Sequence, residues 1–146
     1  MRYTILIVAI SLIFLGCKKD HTRPELSFKS VNSTTINDGD LLIFTLSFKD
    51  IKGSATDSLM IYQIIPACQS GQDTVREALP VFPASSNQQG DITVTFINNA
   101  IVPGYENAII SAKCSMDNTC EFKFVLQDQY GNKSDTVISP TIIIKQ

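Results

Sequence analysis

A period of two runs through most of this chain, and it decides the fold class before anything else is read. Between Leu41 and Asp50, the residues Leu42, Phe44, Leu46 and Phe48 share one parity, while Thr45, Ser47 and Lys49 take the other. Successive side chains of a strand point to opposite faces, so this pattern describes a strand with one face in a core and one in water. The same alternation returns in Ile92, Val94 and Phe96 against Thr93 and Thr95, and in Phe122, Phe124 and Leu126 against Lys123 and Gln127. Weaker strand patterns cover Leu26 to Val31, Leu59 to Ile65, Ala108 to Lys113, Asp135 to Ile138 and Thr141 to Ile144. Pro140 divides the last two, which implies an edge or a bulge there. No segment sustains a helical period. Turn-forming clusters separate the strands: Asn37-Asp38-Gly39-Asp40, Lys52-Gly53-Ser54, Gln89-Gly90-Asp91, Pro103-Gly104 and Tyr130-Gly131-Asn132-Lys133. About seven short strands with turns between them predict an all-β domain, an immunoglobulin-like antiparallel β-sandwich, with a small β-barrel as the alternative. The stretch from Pro66 to Gly90, carrying Pro66, Pro80 and Pro83, lacks this alternation and is expected to be a long loop.

The N-terminus follows a different rule. Arg2 precedes an apolar run from Ile5 to Leu15, about eleven residues, the length of a signal-peptide core rather than of a membrane span. The run stops at Gly16-Cys17 and gives way to Lys18-Lys19-Asp20-His21. Phe14-Leu15-Gly16-Cys17 resembles the lipobox of bacterial lipoprotein signals, with Phe14 where that family prefers Leu. The resemblance implies cleavage before Cys17, lipidation of Cys17, and a domain anchored to a membrane by its acyl chains. Asp20 does not immediately follow the cysteine, as an inner-membrane retention signal would, so the expected location is the outer membrane of the cell envelope. An ordinary secretory signal followed by an unmodified thiol, or an uncleaved anchor helix, is the alternative. The expected organisation is a signal peptide over 1–16, a lipidated tether over 17–25 and the sandwich over 26–146.

Twelve Lys and Arg against fourteen Asp and Glu give a net charge of -2, which leaves no basic surface for nucleic acid. There is no Trp and a single His, His21, in the tether. A catalytic cysteine needs a base, and none accompanies Cys68, Cys114 or Cys120. The cysteines lack zinc-site spacing, so neither a metal nor a cofactor is expected. In an oxidising compartment one disulfide is expected. Cys114 and Cys120 flank a short loop between two expected strands and form the favoured pair; Cys68 with either is the alternative. Phosphate-loop, nucleophile-elbow and zinc-protease motifs are absent from the sequence, and the seven glycines read as turn formers. Asp50, Asp57, Asp73, Asp91, Asp128 and Asp135 read as solvated strand-end acids. Lys52 argues against calcium in the Asp50 to Ser54 loop.

Val125 to Ser134, with its Asp128-Gln129-Tyr130-Gly131-Asn132-Lys133-Ser134 turn, resembles the last hairpin of bacterial immunoglobulin-like domains. Asp128 would cap that turn and Gly131 would supply its left-handed residue. With the lipobox, this resembles the small surface lipoproteins of Bacteroidota-type bacteria. Asp57-Ser58-Leu59, Asp73-Thr74-Val75 and Asp135-Thr136-Val137 resemble the O-glycosylation acceptor of such bacteria, which implies modification of Ser58, Thr74 and Thr136. The functional expectation is a non-enzymatic binding or accessory module for a glycan or an envelope protein. Tyr62, Tyr105 and Tyr130 would contact the ligand if they face outward. A structural spacer in an envelope assembly is the second hypothesis, favoured if those rings are buried. A hydrolase would require two acids converging in one cleft.

Overall fold

Each strongly alternating segment forms a long strand. The computed structural model describes residues 23–51, 57–66, 72–79, 88–104, 109–110 and 116–145. Ten strands follow in order: β1 (Glu25–Val31), β2 (Thr35–Ile36), β3 (Leu41–Ile51), β4 (Ser58–Ile64), β5 (Gln72–Ala78), β6 (Gln88–Asn98), β7 (Ile109–Ile110), β8 (Asn118–Gln127), β9 (Val137–Ile138) and β10 (Ile142–Ile144). One sheet runs β1-β3-β6-β7; the other runs β2-β10-β8-β4-β5, with β9 also on β8. The distribution of β1, β3 and β6 on one sheet and β4, β8 and β10 on the other is the A, B, E against C, F, G arrangement of an immunoglobulin-like sandwich.

The alternating parity explains why the sheets face each other. Leu42, Phe44, Leu46 and Phe48 on β3 and Phe122, Phe124 and Leu126 on β8 are all buried. Phe44 meets Phe122 and Phe124 of the opposite sheet at ring-centroid distances of 4.9 and 5.2 Å, and meets Phe96 at 6.4 Å. Phe96 in turn stacks on Phe122 at 5.3 Å. Tilted and edge-on pairs of this kind add roughly 0.5–1.5 kcal/mol each beyond the area they bury.

The structure corrects several expectations. Among the described residues there are ten strands rather than about seven, and two pairings, β2 with β10 and β6 with β7, are parallel. The stretch expected as a long loop contains β5, an outer strand paired along its whole length with β4. Only Val75 of its described side chains packs against the core, so the alternation is too faint to read in the sequence. Gln89-Gly90-Asp91 is not a turn but part of β6, paired with Ser47, Phe48 and Lys49. Gly90 serves there by close approach, because a Cβ would lie 3.1 Å from the Phe48 ring. Ile109 and Ile110 do not form a hairpin with β8; they pair with β6 in the other sheet.

The chain after β8 stays attached to it through two buried serines. Ser134 donates its N–H to the Leu126 carbonyl, and its hydroxyl accepts the Leu126 N–H at 3.0 Å. Ser139 repeats the device on Phe122, with distances of 2.9 and 3.0 Å. In each case a hydroxyl stands where regular pairing would supply a backbone carbonyl. The turn between β8 and Ser134 forms as its residues imply. Asp128 Oδ1 accepts the N–H groups of Tyr130 and Asn132, and Gly131 takes a left-handed φ of 83°.

The two described residues before β1 are packed on the domain. Pro24 is buried, and Arg23 donates from Nε to the Lys133 carbonyl at 3.0 Å while pairing with Asp135 at 3.7 Å. The aromatic contact between the sheets makes a clear prediction. Phe122→Ala should cost about 3–5 kcal/mol in urea denaturation, since it empties the position shared by Phe44, Phe96 and Phe124.

Candidate outer-face groove

With Leu59, Ile61 and Gln63 of β4 turned inward, Met60, Tyr62 and Ile64 must face out. With Phe122 and Phe124 of β8 inward, Lys123 and Val125 join them on the outer face. Register places Tyr62 opposite Lys123, Met60 opposite Val125 and Ile64 opposite Glu121. The returning chain supplies Lys133, Ser134 and Thr136. Together these eight residues line a groove of about 380 Å³. Its floor is apolar, its cations are Lys123 and Lys133, and no carboxylate is among the described lining residues.

The Tyr62 hydroxyl lies 3.6 Å from the Met60 sulfur, so the ring leans along β4 across the floor instead of standing into solvent. Lys133 is fixed at its base, since its carbonyl accepts from Arg23 and its backbone bridges to Gln127. Among the described residues neither lysine ammonium has a carboxylate partner. Of the acids around the groove, Asp135 is engaged with Arg23, Asp128 with its own turn and Asp57 with the Gln129 N–H at 2.9 Å, while Glu121, two residues before Lys123 on the same face, stands opposite Ile64 at one end. Asp57, expected as a solvated acid, is buried because the 128–131 turn folds over it.

The structure places the sequence-predicted site residues unequally. Tyr62 lines the groove, and Tyr130 is 69% exposed at the tip of the turn, outside the lining. Gln127 pairs opposite Ser58 and Lys123 opposite Tyr62, which puts the end of β8, beyond which Tyr130 lies, four strand residues or roughly 13 Å from Tyr62. Tyr62 and Tyr130 therefore do not sit side by side; Tyr105, like Cys17, Cys68 and Cys114, lies outside the described residues. Of the candidate glycosylation residues, Thr74 is exposed on β5 and Thr136 is exposed on the groove wall. A glycan on Thr136 would stand in the groove itself. Ser58 is buried and accepts from Arg76 Nε at 3.2 Å, so the folded domain does not present it to a modifying enzyme. Lys123 and Lys133 were not singled out by the sequence. Outward parity beside Tyr62 was the available signal for Lys123, whereas Lys133 reaches the groove only through the return of the chain.

No known protein family's profile matches the chain, and no curated protein matches it. Solved structures with a similar course include Spo0M, the sporulation control protein of Bacillus subtilis, at 9% identity and TM-score 0.44, covering 85% of this chain and 50% of that one. A Niemann-Pick type C2 protein from the Japanese carpenter ant is similar at 12% identity and TM-score 0.46, covering 83% and 93%. A CARDB domain from Pyrococcus furiosus is similar at 8% identity and TM-score 0.39, covering 84% and 92%. The chain thus spans half the length of Spo0M. Strand order, rather than any of these likenesses, defines it as an immunoglobulin-like β-sandwich.

Cys120 is a free, buried thiol. The expected bridge to Cys114 presumed a hairpin that does not form: β7 lies in the other sheet, and the residue paired with Cys120 on β10 is Ile142. Burial pushes its pKa up to about 11, against an opposing effect of the Gln63 side chain. In the unfolded chain the thiol ionises near 9.0, so this preference for the folded state is intact below pH 9 and is lost as the pH rises toward 11. Wild-type stability should therefore fall more steeply than that of Cys120→Ala between pH 9 and 11 in parallel denaturant titrations.

Proposed function

We propose that this chain is a lipid-anchored, non-enzymatic binding module of the outer-membrane cell envelope that holds a saccharide in the groove over β4 and β8. The observation that carries this reading is the Tyr62 ring lying across an apolar floor, beside the Thr136 hydroxyl and two ammonium groups. Sugars offer one face of C–H groups and a rim of hydroxyls, and shallow sites with an aromatic platform and a few convergent polar groups suit that chemistry. Two described tyrosines lie outside the sandwich core, which favours a binding module over a spacer. A non-enzymatic role is supported by the state of the reactive groups. The described thiol is buried and hard to ionise, and Asp57, Asp91, Asp128 and Asp135 are each engaged in a turn contact or an ion pair. The anchor is supported by the lipobox ending at Cys17.

Two measurements test this reading. On an array of envelope and polysaccharide glycans, the full chain should give a saturable signal that falls roughly tenfold in affinity on Tyr62→Ala and stays unchanged on Tyr130→Ala. Glycan silence with a specific envelope protein recovered would overturn the saccharide reading in favour of a protein partner. Metabolic labelling with palmitate should mark the wild type and not Cys17→Ser, which should leave the membrane fraction. Equal labelling of both would overturn the anchor.

A further inference from the structure

We propose that the groove selects acidic oligosaccharides, chains that carry carboxylates on more than one sugar ring, and that Lys123 and Lys133 are the groups that recognise the acid. This rests on the reading of the groove as a saccharide site and adds the charge and the length of its ligand.

The charge argument begins with a contrast. The whole chain carries a net charge of -2, yet the groove lining holds two lysines and no carboxylate among the described residues. Elsewhere on the surface Lys29 pairs with Asp91 at 2.6 Å and Lys145 pairs with Asp117, while Lys49 has no carboxylate partner among the described residues. Lys123 and Lys133 have no such partner among the described residues, although Asp135 lies two residues from Lys133, because Asp135 is turned to Arg23. Arg23 therefore both fixes the backbone of Lys133 and withdraws the nearest acid from it. A third cation, Arg76, stands opposite Met60 on the same face, and Glu121 opposite Ile64 is the acid at the other end. Over a floor of Met60, Ile64 and Val125, an ammonium attracts a carboxylate more strongly than it would in open water.

The length argument comes from register. Lys133 bridges to Gln127, and Lys123 lies four residues back along β8, with Val125 between them on the outer face. Their backbone positions are thus about 13 Å apart along the strand, farther than one sugar ring extends. A ligand that meets both lysines with their stems upright over their own strand positions crosses Val125 and Tyr62 on the way. Lysine suits the task, since a flexible stem carrying a compact charge can follow carboxylates along a repeating chain.

The test is calorimetric titration of the full chain, held in a polyoxyethylene detergent that carries no sugar. The ligands are galacturonate, mannuronate and hyaluronan hexasaccharides, the methyl-esterified galacturonate hexasaccharide and monomeric galacturonate. At least one acidic hexasaccharide should bind, weaken with added NaCl and exceed both its monomer and its uncharged counterpart. Lys123→Ala and Lys133→Ala should each weaken binding about two- to fivefold, and Lys→Arg at the same positions should restore most of it. Unchanged melting curves would show that the variants fold. Equal binding of esterified and acidic hexasaccharides, or unchanged binding by both alanine variants, would overturn acid selection while leaving a saccharide site. Absence of binding by every saccharide, acidic and neutral, would overturn both.

Discussion

The contact of Phe44 with Phe122 and Phe124 is the interaction on which the rest of the structure depends. It joins β3 to β8, the two strands that an inter-sheet disulfide links in antibody domains. Here aromatic packing occupies that place. It also settles which residues can meet a ligand. A one-residue slip of β8 would turn Lys123 and Val125 into the core and Phe122 and Phe124 into water, so the inward phenylalanines dictate the outward groove. Groove floor and hydrophobic core are the two parities of the same strands.

The second constraint is how the chain returns after β8. Regular pairing ends near the turn at Asp128, and Pro140 interrupts it again further on. Ser134 and Ser139 satisfy the Leu126 and Phe122 N–H groups with hydroxyls, which lets the 133–136 segment leave the sheet's regular path and rise as a groove wall. Arg23 ties the beginning of the domain to that wall. Under the proposed anchoring, the six residues from Cys17 to Arg23 span at most about 20 Å, so the wall would stay close to the membrane surface.

Much of this architecture is legible in the sequence because β3, β6 and β8 are long and have one dry face. Their alternation survives into the structure almost unchanged. β5 was hidden because an outer strand has few core positions to fill, and β2 because two residues, Thr35 and Ile36, have no period. Gly90 misled because a glycine needed for space against Phe48 looks in sequence like one needed for a turn. The Cys114 and Cys120 pairing misled because a hairpin is a local inference, whereas the chain sends β7 to the other sheet. The site shows the same division. The outward placement of Tyr62 follows from period two. Its meeting with Lys133 and Thr136 requires the pairing of distant segments, which no local pattern encodes.

The central claim is that the face of β4 and β8, rather than the exposed turn, is where a ligand sits. Backbone and side-chain NMR shifts during titration of the isotope-labelled chain with a bound oligosaccharide test it most directly. Shifts concentrated on Met60, Tyr62, Lys123, Val125 and Thr136, with Tyr130 and the opposite sheet unmoved, are the expected result. Shifts centred on Tyr130 and its turn, or on β1 and β3, would contradict it.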